Sequence, residues 1–165
     1  MQISVAYGKN DDFKVWVDEK NLLGVFNPNP VQKFDEKVLI KQALDNPVNH
    51  VSFDKFIDTK EKIVILVNDG TRPTPTAKIL AQIYPKLRDK DKIFVIANGC
   101  HRDPTEDEYH LIFSKEIYNE LKIKNEIHSH DSKNDEMTFL GESENGTQMY
   151  LNKIVAQAKK VIAIG

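Results

Sequence analysis

The chain has 165 residues, 40% of them apolar and 29% charged, with 23 Lys+Arg set against 25 Asp+Glu. That size and apolar fraction exclude a disordered chain and allow a core without disulfide or metal staples, and the near-neutral balance lacks the basic excess of a nucleic-acid footprint. One cysteine, an opening MQISVAYGKN without a leader pattern, and no apolar run of about 18 residues read as a cytoplasmic protein with no nucleic-acid or membrane partner.

Ile3, Val5 and Tyr7, then Phe13, Val15 and Val17, recur with period two around a turn at residues 8–12, which predicts a β-hairpin. Asn27-Pro28-Asn29-Pro30 is a rigid, helix-breaking connector. Val31, Phe34, Val38, Leu39 and Ala43 then fall on one helical stripe ending near Asn46-Pro47. Residues 50–58 fit either a short helix or a loop.

Residues 63–67 are five consecutive apolar residues, mostly β-branched, the pattern of a strand buried on both faces of a parallel sheet. A polar loop over 68–75 leads into a helix with Ile79, Leu80, Ile83 and Leu87 on one face, Thr74 as N-cap and Pro75 at its first position. A second buried run, 93–97, leads through Asn98-Gly99-Cys100-His101-Arg102 to a helix capped by Thr105 or Asp103, with Glu106, Asp107 and Glu108 in its first turn. A short helix over 114–121 follows, then strands around 126–130, 137–140 and 147–151, with Glu144-Asn145-Gly146 as a turn. Residues 152–158 read as helical and 161–164 as one more buried strand. The pattern is a Rossmann-like α/β fold: a mostly parallel sheet with flanking helices and an N-terminal hairpin, a single domain over 1–165.

Two strand–loop–helix units in succession imply a right-handed crossover and parallel strands. Both polar loops therefore emerge at the carboxyl edge of the sheet, where open α/β sheets bind ligands. In the first loop, Gly70 permits close approach or a left-handed backbone. Thr71, with N–H groups at the helix start, suits an anion, and Arg72 offers a planar fork for carboxylate or phosphate. Asp69 orients Arg72 or a neighbouring hydroxyl; a bare Asp69–Arg72 salt bridge stiffening the turn is the competing reading. In the second loop, His101 beside Arg102 is an acid/base candidate, because imidazole titrates near working pH; the competing reading is a surface histidine at a helix cap. Cys100 reads as a small core residue. His128 and His130, two apart on a strand, share a face like a metal pair but lack a third ligand of matching spacing, so no metal site is expected. Neither phosphate-loop nor dinucleotide glycine pattern is present.

Asp69-Gly70-Thr71-Arg72-Pro73-Thr74-Pro75 after a buried strand resembles the D-x-T-R-P-x-P signature of the nickel-dependent lactate racemase family. Asn98-Gly99-Cys100-His101-Arg102, followed by Thr105 and Glu106, resembles that family's histidine–arginine element, and Asn152-Lys153 its asparagine–lysine pair. The resemblance implies the N-terminal domain of a longer protein, cut after Gly165, that interconverts the enantiomers of a 2-hydroxy acid with a nickel-pincer nucleotide. It assigns catalytic roles to His101 and Arg72, and cofactor contacts to Asp69, Thr71, Arg72 and Arg102. The cofactor lysine, the nickel histidine and the second acid/base histidine would lie in the missing C-terminal domain, so this fragment is expected to retain no cofactor. A non-catalytic anion- or nucleotide-binding α/β module is the alternative.

Overall fold

The alternating N-terminal pattern folds as an antiparallel hairpin in the computed structural model, which describes residues 1–8, 10–48 and 51–165. Strand β1 (Gln2–Tyr7) pairs with β2 (Asp11–Trp16), with Ile3 opposite Val15 and Val5 opposite Phe13. The hairpin belongs to one compact unit, Met1–Phe34; the remainder, Asp35–Gly165, forms a second. Lys9 of the expected turn, His50 of the ambiguous stretch and Asn49 before it lie outside the described residues.

Helix α1 (Glu36–Asp45) starts later than its apolar stripe predicts. Asp35 has extended backbone and its carboxylate accepts the Val38 N–H at 3.1 Å, so the capping signal, not the apolar periodicity, sets the first turn. Val31 and Phe34 consequently precede the helix. The ambiguous stretch contains a short helix, α2 (Phe53–Ile57).

The core elements follow in the expected order: β3 (Ile63–Val67), α3 (Thr76–Leu87), β4 (Lys92–Ile96), α4 (Glu106–Phe113), α5 (Lys115–Ile123) and β5 (Ile127–Ser129). A second hairpin, β6 (Met137–Glu142) and β7 (Gln148–Asn152), leads through α6 (Lys153–Ala156) to β8 (Lys160–Ile164). Strands β5, β4, β3 and β8 lie side by side in that order, all parallel. On one face Ile63, Ile65, Phe94 and Ile96 are buried with Leu80 and Leu87 of α3, Phe113 of α4 and Leu121 of α5. On the other face Val64 and Val95 meet Val155 of α6. Each fully buried aliphatic or aromatic side chain there contributes about 1.5–3 kcal/mol relative to exposure. Because both faces are covered, these strands read as unbroken apolar runs, and ligand access is left to the strand ends.

Thr74 does not cap α3. Pro75 occupies the cap position, and the Thr74 hydroxyl instead accepts the Asn68 side-chain amide at 2.8 Å, cross-bracing the loop. Thr105, not Asp103, caps α4: its hydroxyl accepts the Glu108 N–H while the Glu108 carboxylate accepts the Thr105 N–H, a reciprocal capping box.

Candidate functional site at the carboxyl edge of the sheet

Because β3 and β4 are parallel neighbours, the segments that follow them emerge side by side. Ala97 extends the ladder, donating its N–H to Val67 O, and the His101 N–H closes a turn onto Asn98 O at 3.0 Å. Gly99 makes that turn with φ +59°, a conformation glycine adopts without a Cβ penalty. Asn98 is buried, and its amide reaches Ser129 at the end of β5. The His101 loop is thereby pinned to both neighbouring strands.

The result is an Asp–His pair across 32 residues of sequence: His101 Nδ1 stands 2.6 Å from Asp69 Oδ2. A carboxylate only accepts, so Nδ1 carries the hydrogen and Nε2 is left for a ligand. The other Asp69 oxygen accepts the Thr71 hydroxyl at 2.8 Å. Burial acts to raise the Asp69 carboxyl, but the hydrogen bonds from His101 and Thr71 outweigh it and hold the group below its ordinary value. The pair has the elements of a general base: an oriented imidazole backed by a buried anion.

A cavity of about 240 Å³ lies against Asp69, Gly70, Thr71, His101, Arg102 and Glu108. Gly70 is required by close approach rather than by a left-handed backbone: a Cβ there would stand 2.6 Å from Glu108 Cγ. Glu108 grips Arg102 through two hydrogen bonds of 2.7 and 2.9 Å, and that contact with the Thr105 N–H lowers its carboxyl to about 2. Arg102 is therefore clamped to the start of α4. Arg72 is placed differently. It is exposed, its N–H reaches Asp69 O at 3.4 Å, and among the described residues its guanidinium has no hydrogen bond or ion pair. The Asp69–Arg72 salt bridge of the competing reading does not form, and Arg72 is not part of the cavity wall that Asp69 and His101 share.

Cys100 is exposed, not part of the core. Strand β4 ends at Ile96, and the Gly99 turn carries the next residue outward. His128 and His130 do share a face, but what they share there is Asp135: His128 Nε2 is 2.7 Å and His130 Nδ1 2.9 Å from the same oxygen, Oδ2. His130 also lines a second cavity of about 340 Å³ together with His101 and Arg102. Pairwise spacing hid this. The signal was topological: β5 is a third parallel strand, so the residue after it also arrives at the carboxyl edge.

Among the described residues no three His, Cys, Asp or Glu side chains are arranged to hold a metal ion. The Arg72 guanidinium, unengaged among the described residues, suits an anionic group, while His101 Nε2, an acceptor without a partner among them, suits a hydroxyl.

The chain belongs to the lactate racemase N-terminal domain family, whose model matches residues 7–165. It is 31% identical over 175 residues to the lactate racemase of Thermoanaerobacterium thermosaccharolyticum, covering 99% of this chain and 39% of that protein. It is 27% identical over 156 residues to the lactate racemase of Lactiplantibacillus plantarum, covering 90% of this chain and 36% of that one. The solved structure of the Thermoanaerobacterium lactate racemase apoprotein superposes with a TM-score of 0.76 at 26% identity, covering 99% of this chain and 38% of that one. The chain thus spans less than two fifths of the length of these relatives.

Proposed function

We propose that this chain forms the N-terminal part of a cytoplasmic 2-hydroxy-acid racemase or epimerase of the lactate type, in which His101 is one of the two histidines that take and return the hydroxyl proton. The observation that carries this reading is the Asp69–His101 pair at the carboxyl edge of the sheet, in a chain whose family and curated relatives are lactate racemases. When bound, a nickel-pincer nucleotide supplies the hydride acceptor. The family resemblance assigns its lysine anchor and nickel histidine to the rest of the protein.

This chain's own residues act on the proton and on charge. Asp69 holds the Nδ1–H tautomer, so Nε2 is the base for the carbinol hydroxyl. Removing that proton raises electron density on the oxygen and eases hydride departure from the same carbon. The carboxylate next to the ring stabilises the imidazolium formed, and returning the proton restores the starting state. Arg72, exposed and unengaged, holds the substrate carboxylate or an anionic group of the cofactor with paired N–H contacts. Arg102 serves the site from its clamp on Glu108.

The test uses the whole protein containing this chain, produced with the cofactor and given one enantiomer of lactate, with products separated by chiral chromatography. Racemisation that disappears in His101→Ala supports the reading. No turnover, with anion binding retained, favours the non-catalytic binding module.

A further inference from the structure

Two histidines stand at the ends of adjacent parallel strands on the wall of one cavity, and their surroundings differ in a way that separates their chemistry. His101, after β4, has only the Asp69 carboxylate against Nδ1, which leaves Nε2 as an acceptor. His130, after β5, has two neighbours at Nδ1: Asp135 Oδ2 at 2.9 Å and the Asn152 amide nitrogen at 3.0 Å. Asp135 Oδ2 already receives three other N–H groups, from His128 Nε2 at 2.7 Å, Asn152 Nδ2 at 2.8 Å and the Asp131 backbone at 3.0 Å. Asn152 carries two amide hydrogens, so it can serve Asp135 Oδ2 with one and His130 Nδ1 with the other. An Nδ1 that accepts from Asn152 leaves the ring hydrogen on Nε2, an atom with no partner among the described residues. In that arrangement His130 is a donor where His101 is a base.

The rest of this wall favours a negative ligand. Lys133 lines it, and its amine has no ion pair among the described residues. The Asp131 carboxylate is consumed by its own loop, accepting the N–H groups of Lys133 and Asn134 and the Asn134 amide. Asp131, still anionic, and Asp103, whose carboxylate accepts no hydrogen bond among the described residues, are the opposing charges.

We propose that His130 Nε2–H and Lys133 bind an oxyanion in the cavity shared with His101, either a carboxylate of the hydroxy-acid substrate or a phosphate of a nucleotide ligand. The proposal rests on the racemase reading only for which ligand arrives. A whole protein that does not racemise lactate sinks that reading, whereas the anion contact is tested without turnover.

The experiment titrates the isotopically labelled chain with sodium phosphate, and separately with sodium L-lactate, against sodium chloride at matched ionic strength. Long-range proton–nitrogen spectra report the imidazoles. The expected result is an Nε2–H tautomer at His130 and saturable shifts of its ring with at least one oxyanion but not with chloride. Saturation by phosphate alone identifies a phosphate-bearing ligand, and saturation by lactate identifies the substrate carboxylate. His130→Asn keeps an amide near the position of Nδ1 and removes Nε2, so binding weakens about tenfold or more, the scale of one charge-assisted hydrogen bond. His130→Gln, whose amide reaches as far as Nε2, recovers part of it, and Asp103→Asn tightens it. The proposal is overturned if neither oxyanion shifts His130 saturably, or if His130→Asn binds like the wild type while its backbone spectrum stays native.

Discussion

Asp69 and His101 share one hydrogen bond but not one environment: the carboxylate is 7% exposed, whereas the imidazole it holds is 53% exposed. The anchor is closed off and the working ring is open. That asymmetry lets the ring meet a ligand without loosening the group that fixes its tautomer.

Two variants of the whole enzyme separate these roles. His101→Ala is expected to lower kcat by about 10²–10⁴-fold, the usual worth of a positioned acid/base group, with little change in cofactor occupancy. Asp69→Asn keeps the size but turns an obligate acceptor into a possible donor, which favours the tautomer with hydrogen on Nε2. Its kcat should fall at least about tenfold. Steady-state kinetics with cofactor measured separately decides the matter; wild-type turnover in His101→Ala would remove it from the mechanism.

Arg72 is exposed and unengaged, so its loss should leave folding nearly untouched, within about 0.5 kcal/mol. Arg72→Ala is expected to weaken retention of an anionic ligand. Arg72→Lys should restore little, because a point charge cannot make the paired contacts of a guanidinium. Equilibrium binding and urea unfolding on the same preparations check both halves.

The two loop glycines should fail for different reasons. In Gly70→Ala the new methyl meets Glu108 Cγ and Cβ at 2.6 and 2.7 Å, near the root of a side chain fixed by its cap and by Arg102. Overpacking of that kind costs about 1–3 kcal/mol, and it should also disturb the Arg102 clamp. Gly99→Ala meets no atom, but its φ of +59° carries a penalty of roughly 1 kcal/mol. Urea midpoints rank them; equal losses would show that the contact with Glu108 is not tight.

Acid should destabilise the fold through identifiable carboxyls. Arg102 and the Thr105 N–H lower Glu108 from 4.5 to about 2. At Asp135 burial acts upward, but the hydrogen bonds from His128 and the Asp131 backbone bring it from 3.8 to about 2. Both are depressed in the folded state, so the unfolded chain binds more protons. The stability they confer is complete above their ordinary values and is lost as pH falls from there towards 2. Calorimetry should show Tm dropping in that window, with Glu108→Gln and Asp135→Asn lower at neutral pH and shallower in acid. Slopes that match the wild type would move the acid sensitivity elsewhere.

Much of this site was readable before any coordinates. Residues 63–67 are apolar on both faces, so they name a strand covered by helices on each side, and the handedness of the crossover then brings His101 to Asp69. What pattern could not supply was the choice of partner among groups of similar reach. Thr74 has the composition of a helix cap, yet Asn68 takes its hydroxyl. Arg102 sits beside His101 in sequence, yet Glu108, one helical turn into α4, holds it. His128 and His130 have strand spacing, but Asp135, which joins them, lies in an irregular loop whose course no periodicity encodes. Helix α1 erred at its boundary for a related reason: an apolar stripe says which side a helix buries, not where its first N–H finds an acceptor.

Strand β3 pairs with β8 across roughly a hundred residues of intervening chain, while its other neighbour β4 follows almost at once. During synthesis β3 and β4 can therefore meet long before residues 160–164 exist. Until then the open side of β3 presents unpaired backbone flanked by apolar side chains, a template for wrong pairing. The last of the sheet's four strands in chain order is thus the one that closes this flank, and β3 stays open to wrong pairing until it emerges.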